Sequence, residues 1–447
     1  MNVINDLKEN FRDNLRNKRK WIVLFFLTMI YKGLLDFSYI KILGGRIEPF
    51  ILDINHTKIL ISTIAVAGIF ILINQFRRQV SFLLYNAFFY IMVLPMSTIY
   101  GVCDKSTVYF ASVIMGSLIC ILIISKKVPN TRNVVGVIPE SNWFIPLFGL
   151  LIVVTILFIL ILNVGIPNLN ALDFENVYEI RLHGRFIENK LFNYVFTWTV
   201  TVILPFLICV AFAYKKYCIA IVLISIDVIF YLYTGNKTIF FSILLIVGMY
   251  FILKFKFSNF IMGMCLSLGM SLISIAGIIG IYNPYSYFVR RVMILPAYLK
   301  FIYYDFFECR PKIGMAGTLL GSAFGQKFPY PEGIGMAISK FFFNNDIMNS
   351  NTGFLAEGYY RYGVLGVIIS CAILGLLIRL IEDLSNRTSF LFATIVSIYP
   401  IYTLNDRSLI DSLVFGPMLI FVLIMIFYSD KGMEEKSHEP RIKIQLH

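Results

Sequence analysis

Long apolar runs recur along this chain and constrain its fold more than any other feature. They are about 17–25 residues long, the length that crosses a hydrocarbon core of about 30 Å. Backbone polar groups must be satisfied inside lipid, and none of the runs alternates as a barrel strand would, so they must be helices. The sequence predicts an all-α polytopic membrane protein with about twelve transmembrane helices, at residues 21–40, 57–75, 80–100, 107–125, 143–164, 194–214, 217–234, 238–253, 258–282, 353–378, 389–404 and 408–428.

The composition excludes an ordinary soluble domain. Hydrophobic residues make up 58% of the chain and charged residues only 15%, against about 45–50% and about 25% in soluble proteins. The seven cysteines form no CxxC pair and no cluster with the four histidines, which predicts neither a disulfide framework nor a metal site. No Walker, zinc or DxD motif occurs, so we expect no cofactor and no direct use of a cytoplasmic nucleotide.

The distribution of positive charge predicts the orientation. The net charge of +13 would suggest nucleic acid in a soluble protein, but here it follows the positive-inside rule, and we expect no nucleic-acid partner. Lysine and arginine concentrate in the segments predicted to be cytoplasmic, which include both termini. The short external loops hold only Lys41, Arg46, Lys58, Lys105, Lys237 and Arg407.

The chain is predicted to form a single integral membrane domain over residues 1–447. Residues 1–20 form a basic amphipathic cytoplasmic segment before an uncleaved signal-anchor helix, and residues 429–447 form a cytoplasmic tail. Two connections are long and face outward, at 165–193 and 283–352. Long loops of this kind tend to carry function, and we expect the second, rich in glycine and aromatic residues, to be an ordered cap.

The first long loop contains two arginines and a histidine within five residues: Arg181, His183 and Arg185. The guanidinium fork matches phosphate oxygens, and histidine exchanges a proton near neutral pH. The cluster therefore predicts anion binding with a neighbouring acid–base group. A solvated loop whose arginines meet lipid headgroups is the alternative.

The second long loop opens with residues 285–308, in which bulky apolar residues alternate with cations. The pattern is typical of an amphipathic helix lying at the outer membrane interface. Arg290 and Arg291 are predicted to bind an anion, and tyrosines such as Tyr303 to stack on sugar rings. An interfacial aromatic belt without a ligand explains the pattern equally well.

A third group stands at the outer start of the tenth predicted helix. Glu357 and Arg361 are four residues apart, so they can pair on one helical face. Ionisable residues near membrane depth indicate function, whereas a structural ion pair is the alternative. Gly363 and Gly366 allow close packing.

Four further residues give weaker signals. Lys237 opens a helix in the sequence TGNKT, and Asp227 lies inside a span as buried polar structure. Lys32 and Asp36 are also four residues apart, and we expect them to pair or to face a cavity.

The segments RLHGR, NTGFLAEGYYRYGVLG and TGNKTIFF, with the topology and the two arginine-rich external loops, resemble the O-antigen polymerase (Wzy-type) family. The family's pattern of arginine followed by glycine after ten residues occurs at Arg310 and Gly321, and does not occur at Arg181 or Arg185.

The resemblance implies an enzyme of the bacterial inner membrane. It would join repeat units carried on undecaprenyl pyrophosphate into a surface polysaccharide, at the periplasmic face, among membrane lipids and with a separate chain-length regulator protein. Without a metal, arginines would stabilise the leaving pyrophosphate. We expect Arg181, Arg185, Arg290 and Arg291 to hold the pyrophosphate. Lys237, Tyr303 and Arg361, which also lie in the external segments, are expected to bind substrate as well.

The acceptor hydroxyl needs a base, for which His183 and Glu357 are the candidates. Two other functions fit part of the sequence. An O-antigen ligase would share the helix count, the large external loop and the donor. A flippase or transporter would have short loops on both faces and, in many folds, an internal repeat, which this sequence does not show. A scaffold protein would leave the external arginines without a use.

Overall fold

The computed structural model describes residues 8, 12, 15–73, 75, 77, 79–125, 143–167, 189–346, 348–385, 388, 390–414 and 416–428. In this part the chain is helical and contains no β-strand, only an isolated bridge between Asp53 and Cys103. The prediction of an all-α polytopic membrane protein is confirmed. Most of the basic N-terminal segment, most of the first long loop and the C-terminal tail lie outside the described residues.

Nine helices in the described residues are long and apolar enough to cross a membrane: Lys18–Leu43, Val80–Val102, Thr107–Ser125, Phe144–Val164, Leu191–Ala213, Tyr217–Thr234, Ser258–Ile278, Phe354–Ser385 and Leu409–Phe427. The other three predicted spans coincide with shorter apolar helices at His56–Leu72, Lys237–Leu253 and Phe390–Thr403. Each predicted span is therefore helical, while the number twelve and the orientation stay predictions.

Apolar side chains on the outside of these helices show why they need lipid. On the helix Phe144–Val164, Leu147, Leu151 and Leu162 are each more than 60% exposed. Contiguous apolar surface of this extent is rare on soluble monomers and normal where acyl chains replace water.

Four π-helical stretches interrupt the helices, at Tyr39–Leu43, Phe89–Val93, Thr199–Ile203 and Tyr285–Ile294. The last three are each followed at once by a Leu-Pro pair, which opens the next α-helix. Proline has no N–H, so the carbonyl four residues earlier loses its helical donor and the turn widens. Each pair thus leaves a backbone acceptor available to another partner.

The chain divides into two compact units, whereas the sequence predicts one domain. The first comprises residues 1–127, 255–379 and 401–412. In it the helix Lys18–Ser38 packs on Ser258–Ile278, where Gly263 admits the Leu24 side chain closely. A hydroxyl contact between Thr28 and Tyr90 at 2.7 Å joins the same layer.

The second unit comprises residues 128–254, 380–400 and 413–447. Its helices Leu204–Ala213, Tyr217–Thr234 and Lys237–Leu253 pack in sequence order. Rings of Phe206, Phe392 and Tyr428 form an aromatic group within it.

The second long loop is folded over its described residues. Its helices are Tyr282–Pro284, Leu295–Glu308, Leu319–Ala323 and Ile334–Phe343. The helix Leu295–Glu308, here called the Lys300 helix, is buried along most of its length. It therefore lies inside the protein, whereas the sequence predicts an amphipathic helix at the membrane interface. The one cation of this helix, Lys300, donates to protein groups instead of to water.

The predicted tenth span is a broken helix, Phe354–Ser385, interrupted at Tyr362 and Gly363. Gly363 has φ +66° and ψ −149°, a conformation that favours glycine. The break brings Gly358 and Gly366 together, so that a Cβ on Gly366 would collide with the carbonyl oxygen of Gly358. The two glycines thus fix the geometry of the short first segment, which carries Glu357 and Arg361.

We predict that Gly366→Ala destabilises the protein by about 1–3 kcal/mol, because the added methyl group overpacks this contact. The apparent Tm of detergent-purified protein measures the effect. Gly269→Ala is the matched control, since nothing lies within 4 Å of the Cβ it would add. Equal Tm values for the two variants would contradict the close approach.

Candidate functional site

The structure describes only some of the predicted site residues. Arg181, His183 and Arg185 lie outside the described residues. Lys237 is the first residue of the helix Lys237–Leu253. Glu357, Arg361, Tyr303, Arg290 and Arg291 are all described and belong to the first unit.

Glu357 is buried, and its carboxylate accepts four hydrogen bonds. Oε1 accepts from Arg361 Nε at 2.9 Å and from Ser408 Oγ at 2.6 Å. Oε2 accepts from the backbone N–H of Leu409 at 2.6 Å and of Ile410 at 3.3 Å. The carboxylate therefore caps the helix that begins at Leu409, where free N–H groups favour negative charge.

Arg361 completes this arrangement. Its pairing with Glu357, allowed by the spacing of four, is confirmed. Its Nη1 donates to the carbonyl oxygens of Gly314 at 2.9 Å and Ala316 at 3.2 Å, which ties the second long loop to the broken helix. The pair thus has a structural role here, and its predicted parts as base and substrate ligand stay predictions without support from this geometry.

Tyr303 is also part of the core. Its side chain has no exposed surface, and its hydroxyl lies 2.9 Å from the carbonyl oxygen of Ser350 and 3.0 Å from Thr352 Oγ1. Neither face of the ring is open to a sugar in this structure. Its hydrogen bonds instead hold residues 350–352 against the Lys300 helix.

Arg290 and Arg291 follow each other in the π-helical stretch and face different surroundings. Arg290 is half-buried, with its guanidinium carbon 6.0 Å from the ring centre of Tyr282. Arg291 is exposed and forms no hydrogen bond or salt bridge within the described part of the chain. Its charge favours the ionised form of Asp406 in the loop 404–408.

Lys300 is the buried cation beneath that loop. Its Nζ donates to Asn405 Oδ1 at 2.7 Å, to the Asn405 carbonyl oxygen at 3.0 Å and to the Pro296 carbonyl oxygen at 3.3 Å. An ammonium has three protons, and three acceptors use them. The lysine therefore fixes Asn405, and with it the loop, while keeping its charge inside the protein.

Two backbone features position the same loop. The Val292 carbonyl oxygen, which Pro296 leaves without its helical donor, accepts from Asn405 Nδ2 at 3.1 Å. The Phe354 N–H donates to the Leu404 carbonyl oxygen at 3.1 Å. Gly353, at φ +67°, packs so closely that a Cβ there would meet the Asn405 carbonyl oxygen.

Asp406 is the only acidic residue of the loop 404–408. The charges of Lys300, Arg407 and Arg291 and the Asn351 side chain all favour its ionised form. Its Oδ1 atom is buried and has no hydrogen-bond partner among the described residues. We call this group the Lys300 cluster: Arg291, Lys300, Asn351, Asn405, Asp406 and Arg407.

Burial perturbs both ionisable groups at the centre of the cluster. Loss of hydration lowers the pKa of Lys300 to about 8, although the nearby Asp406 carboxylate favours the charged form. Loss of hydration also raises the pKa of Asp406, against the effects of Lys300, Arg407, Asn351 and Arg291. Perturbed groups at a shared site indicate a functional region.

Most other described cations of the predicted external segments already have partners. Lys105 pairs with Asp305 at 2.6 Å, and Lys58 with Asp104 at 2.7 Å. Arg310 lies 3.9 Å from the ring centre of Phe306, and Lys312 lies 4.4 Å from that of Tyr359. Arg291 and Arg407 differ, because both are exposed, neither is paired within the described residues, and both act on one carboxyl.

Sequence reasoning missed most of this cluster. Lys300 and Arg407 appeared only as cations of external segments, and Asp406 drew no attention. The available signal was the sequence Asn-Asp-Arg between two apolar runs, at a predicted external turn. That Lys300 lies beneath this turn, 105 residues away in sequence, depends on packing that no local pattern shows.

Two ionisable features lie inside membrane-spanning helices. Lys32 and Asp36 form a buried ion pair at 2.5 Å, which confirms their predicted pairing. Asp227 is fully buried, as predicted, and neither carboxylate oxygen has a hydrogen-bond partner within the described residues.

The described residues contain no group of three histidine, cysteine, aspartate or glutamate side chains placed to hold a metal ion. All seven cysteines are free. No protein-family model matches the chain, and neither a curated protein nor a solved structure matches it. The resemblance to O-antigen polymerases therefore depends on the sequence segments alone.

We predict that Glu357→Gln lowers the stability of the protein by about 3 kcal/mol, because it leaves Arg361 buried without its anionic partner. The apparent Tm in detergent measures this loss. Glu308→Gln is the control, since Glu308 is exposed and accepts only from the Tyr304 hydroxyl. A Glu357→Gln variant as stable as the wild type but inactive would instead support the predicted role of Glu357 as base.

Proposed function

We propose that this protein polymerises oligosaccharide repeat units carried on undecaprenyl pyrophosphate. The observation that carries the proposal is the Lys300 cluster, in which buried Lys300 holds Asn405 at 2.7 Å beneath a predicted external turn, and Lys300, Arg291 and Arg407 act electrostatically on Asp406 in that turn. The sequence segments that resemble O-antigen polymerases supply the reaction, and the cluster supplies groups suited to its charged leaving group.

The chemistry requires positive charge fixed at one place. Transfer of a glycan from its lipid carrier breaks the bond between the anomeric carbon and a pyrophosphate oxygen. Negative charge develops on that oxygen, and preorganised cations stabilise it without reorganisation. In the Lys300 cluster positive groups outnumber the carboxyl, so an incoming pyrophosphate meets a net positive surface.

Each cation has a distinct part in the proposal. Arg291 and Arg407 are exposed and unpaired among the described residues, so their guanidinium forks are available to phosphate oxygens. Lys300 is buried and holds Asn405, so it contributes charge from below and fixes the loop. Arg290, the neighbour of Arg291 in the sequence, lies by the Tyr282 ring, and its predicted part in holding the pyrophosphate stays a prediction. The proposal does not depend on Arg181, His183 or Arg185.

The setting follows from the same reaction. The substrate lipid is a bilayer component, and the cluster belongs to segments that the distribution of lysine and arginine assigns to the outer face. We propose the bacterial inner membrane as the location, with the active face towards the periplasm. A chain-length regulator would be a separate protein partner.

An O-antigen ligase is the second candidate, because it would use the same lipid pyrophosphate donor and the same cations. A flippase is less well supported. It needs a path for the glycan across the membrane, whereas the exposed arginines act on a carboxyl at a loop.

One prediction of this proposal concerns the exposed arginines Arg291 and Arg407. In a host lacking the chromosomal gene, Arg291→Ala or Arg407→Ala should reduce long polysaccharide at least about tenfold, the factor equivalent to about 1.4 kcal/mol. The double variant should leave lipid core with a single repeat unit on a silver-stained gel. Lys327→Ala, which removes an exposed cation of the same loop outside the cluster, should leave the ladder intact.

Two results would contradict the proposal. A normal ladder in the double variant, with the protein present in the membrane, would show that these cations are dispensable. Loss of every repeat unit on deletion, with lipid-linked glycan accumulating, would indicate a ligase or a flippase. Glycan on the outer face would then favour the ligase, and on the inner face the flippase.

A second prediction concerns pH. Because the pKa of Lys300 is lowered to about 8, the side chain is charged below that pH and loses its charge as the pH rises through it. Binding of undecaprenyl pyrophosphate to the purified protein should therefore weaken by about tenfold above that midpoint.

Lys300→Met should remove this pH step, because it removes the ammonium group that gives rise to it. Affinity for the lipid pyrophosphate, measured by ligand-induced change in apparent Tm at several pH values, tests this directly. An unchanged step in Lys300→Met would assign the titration to another group.

A further inference from the structure

Asp406 keeps free acceptor capacity although three cations act on it. Its Oδ1 atom is buried and has no hydrogen-bond partner among the described residues. A carboxylate in such surroundings ordinarily forms a salt bridge, yet no described nitrogen of Lys300, Arg291 or Arg407 lies within 4.0 Å of it. A buried, unsatisfied acceptor is costly, so it calls for a functional explanation.

The structure shows why the cations do not pair with it. The three protons of Lys300 are taken by the carbonyl oxygens of Pro296 and Asn405 and by the Asn405 side chain. Asn405 in turn is held by the Val292 carbonyl oxygen. Asp406, the next residue in the chain, is therefore fixed on its N-terminal side. Lys300 is held by these acceptors and does not reach the Asp406 carboxylate.

The loop is also fixed at its two ends. The Phe354 N–H holds the Leu404 carbonyl oxygen at 3.1 Å, and Glu357 accepts from Ser408 Oγ at 2.6 Å. Asp406 thus sits on a short, anchored turn, which suits a group that must meet a reacting atom within a few tenths of an ångström.

We propose that Asp406 is the general base that activates the acceptor hydroxyl, an inference that rests on the proposed function. The acceptor O–H gives its proton to a carboxylate oxygen of Asp406. The acceptor oxygen then forms a bond to the anomeric carbon of the donor glycan. The bond from that carbon to the pyrophosphate oxygen breaks, and its electron pair leaves with undecaprenyl pyrophosphate.

The cluster places acid–base and leaving-group chemistry side by side. A carboxylate beside a pyrophosphate would be repelled by it, so both can be ionised together only where cations outnumber the carboxyl. Arg291 and Arg407 supply this charge from the exposed side and Lys300 from the buried side. Glu357 faces Ser408 and the helix that begins at Leu409, where its charge is neutralised by Arg361.

The surroundings of Asp406 also predict how activity depends on pH at the acidic end of its range. A base must be deprotonated, and burial raises the pKa of Asp406 above that of a solvated aspartate. Activity should therefore fall on acidification at a pH above the ordinary range of aspartate, about 3.9. The groups that face Asp406 and oppose this shift are Lys300, Arg407, Asn351 and Arg291.

The test uses the full-length protein in membranes that contain its lipid-linked repeat units. Asp406→Asn keeps the shape of the side chain and removes the base, so polymer formation should fall about 100-fold or more. Binding of undecaprenyl pyrophosphate to the purified variant should be unchanged or tighter, because a negative charge is lost. Asp406→Glu, which keeps the carboxyl at a different reach, should recover part of the activity.

Asn351→Ala provides a readout that a structural role of Asp406 would not move. The Asn351 side chain favours the ionised form of Asp406, so its removal should shift the acidic limb of polymer formation to higher pH. Gln326→Ala, an exposed amide elsewhere in the same loop, serves as the control and should leave the limb in place.

Two outcomes would overturn the assignment of Asp406. One is wild-type polymer formation by Asp406→Asn. The other is that both Asp406→Asn and Asp406→Glu fail to bind undecaprenyl pyrophosphate and have a lowered apparent Tm. A different result marks failure of the proposed function itself. In that case the wild-type protein neither binds undecaprenyl pyrophosphate nor forms polymer, and Asp406 loses its proposed reaction as well.

Discussion

The carboxylate of Glu357 joins three parts of the chain through its two oxygens. It accepts from Arg361 on its own helix, from Ser408 in the turn 404–408 and from the first N–H groups of the helix that begins at Leu409. Arg361 extends this junction to Gly314 and Ala316 in the second long loop. Because both charges are buried, neither can be removed alone without leaving the other uncompensated.

The position of the Lys300 cluster depends on that junction. Glu357 holds the turn 404–408 from one side and Lys300 holds it from the other, with the carbonyl of Asn405 and the N–H of Phe354 between them. Ion pairs in the same region neutralise some of the cations and leave others without a carboxylate partner. Glu357 neutralises Arg361, and Asp305 neutralises Lys105. Three cations without a salt bridge in the described residues, Arg291, Lys300 and Arg407, act electrostatically on Asp406. The proposed polymerase chemistry uses the cations that remain without a salt bridge.

The helices could be predicted from sequence and most of the site could not, for physical reasons. Apolar runs of sufficient length have one stable solution in lipid, so each predicted span proved helical. Local spacing also identified the Lys32–Asp36 and Glu357–Arg361 pairs, since residues four apart share a helical face. Spacing does not reveal what else a side chain contacts. The sequence pattern predicts that Tyr303 and Lys300 lie at the membrane interface, whereas both side chains are buried inside the protein.

The proline of the Lys300 helix has a consequence for how insertions would be tolerated. Pro296 frees the carbonyl of Val292, and that one acceptor receives the side chain of Asn405. Arg291 and Lys300 flank this point on the same continuous helical path. One residue inserted or deleted between Arg291 and Pro296 would turn Arg291 by about 100° around the helix axis, while Lys300 kept its place under Asn405. The length of this stretch, and not only the identity of its charged residues, therefore determines whether the two cations face a common ligand.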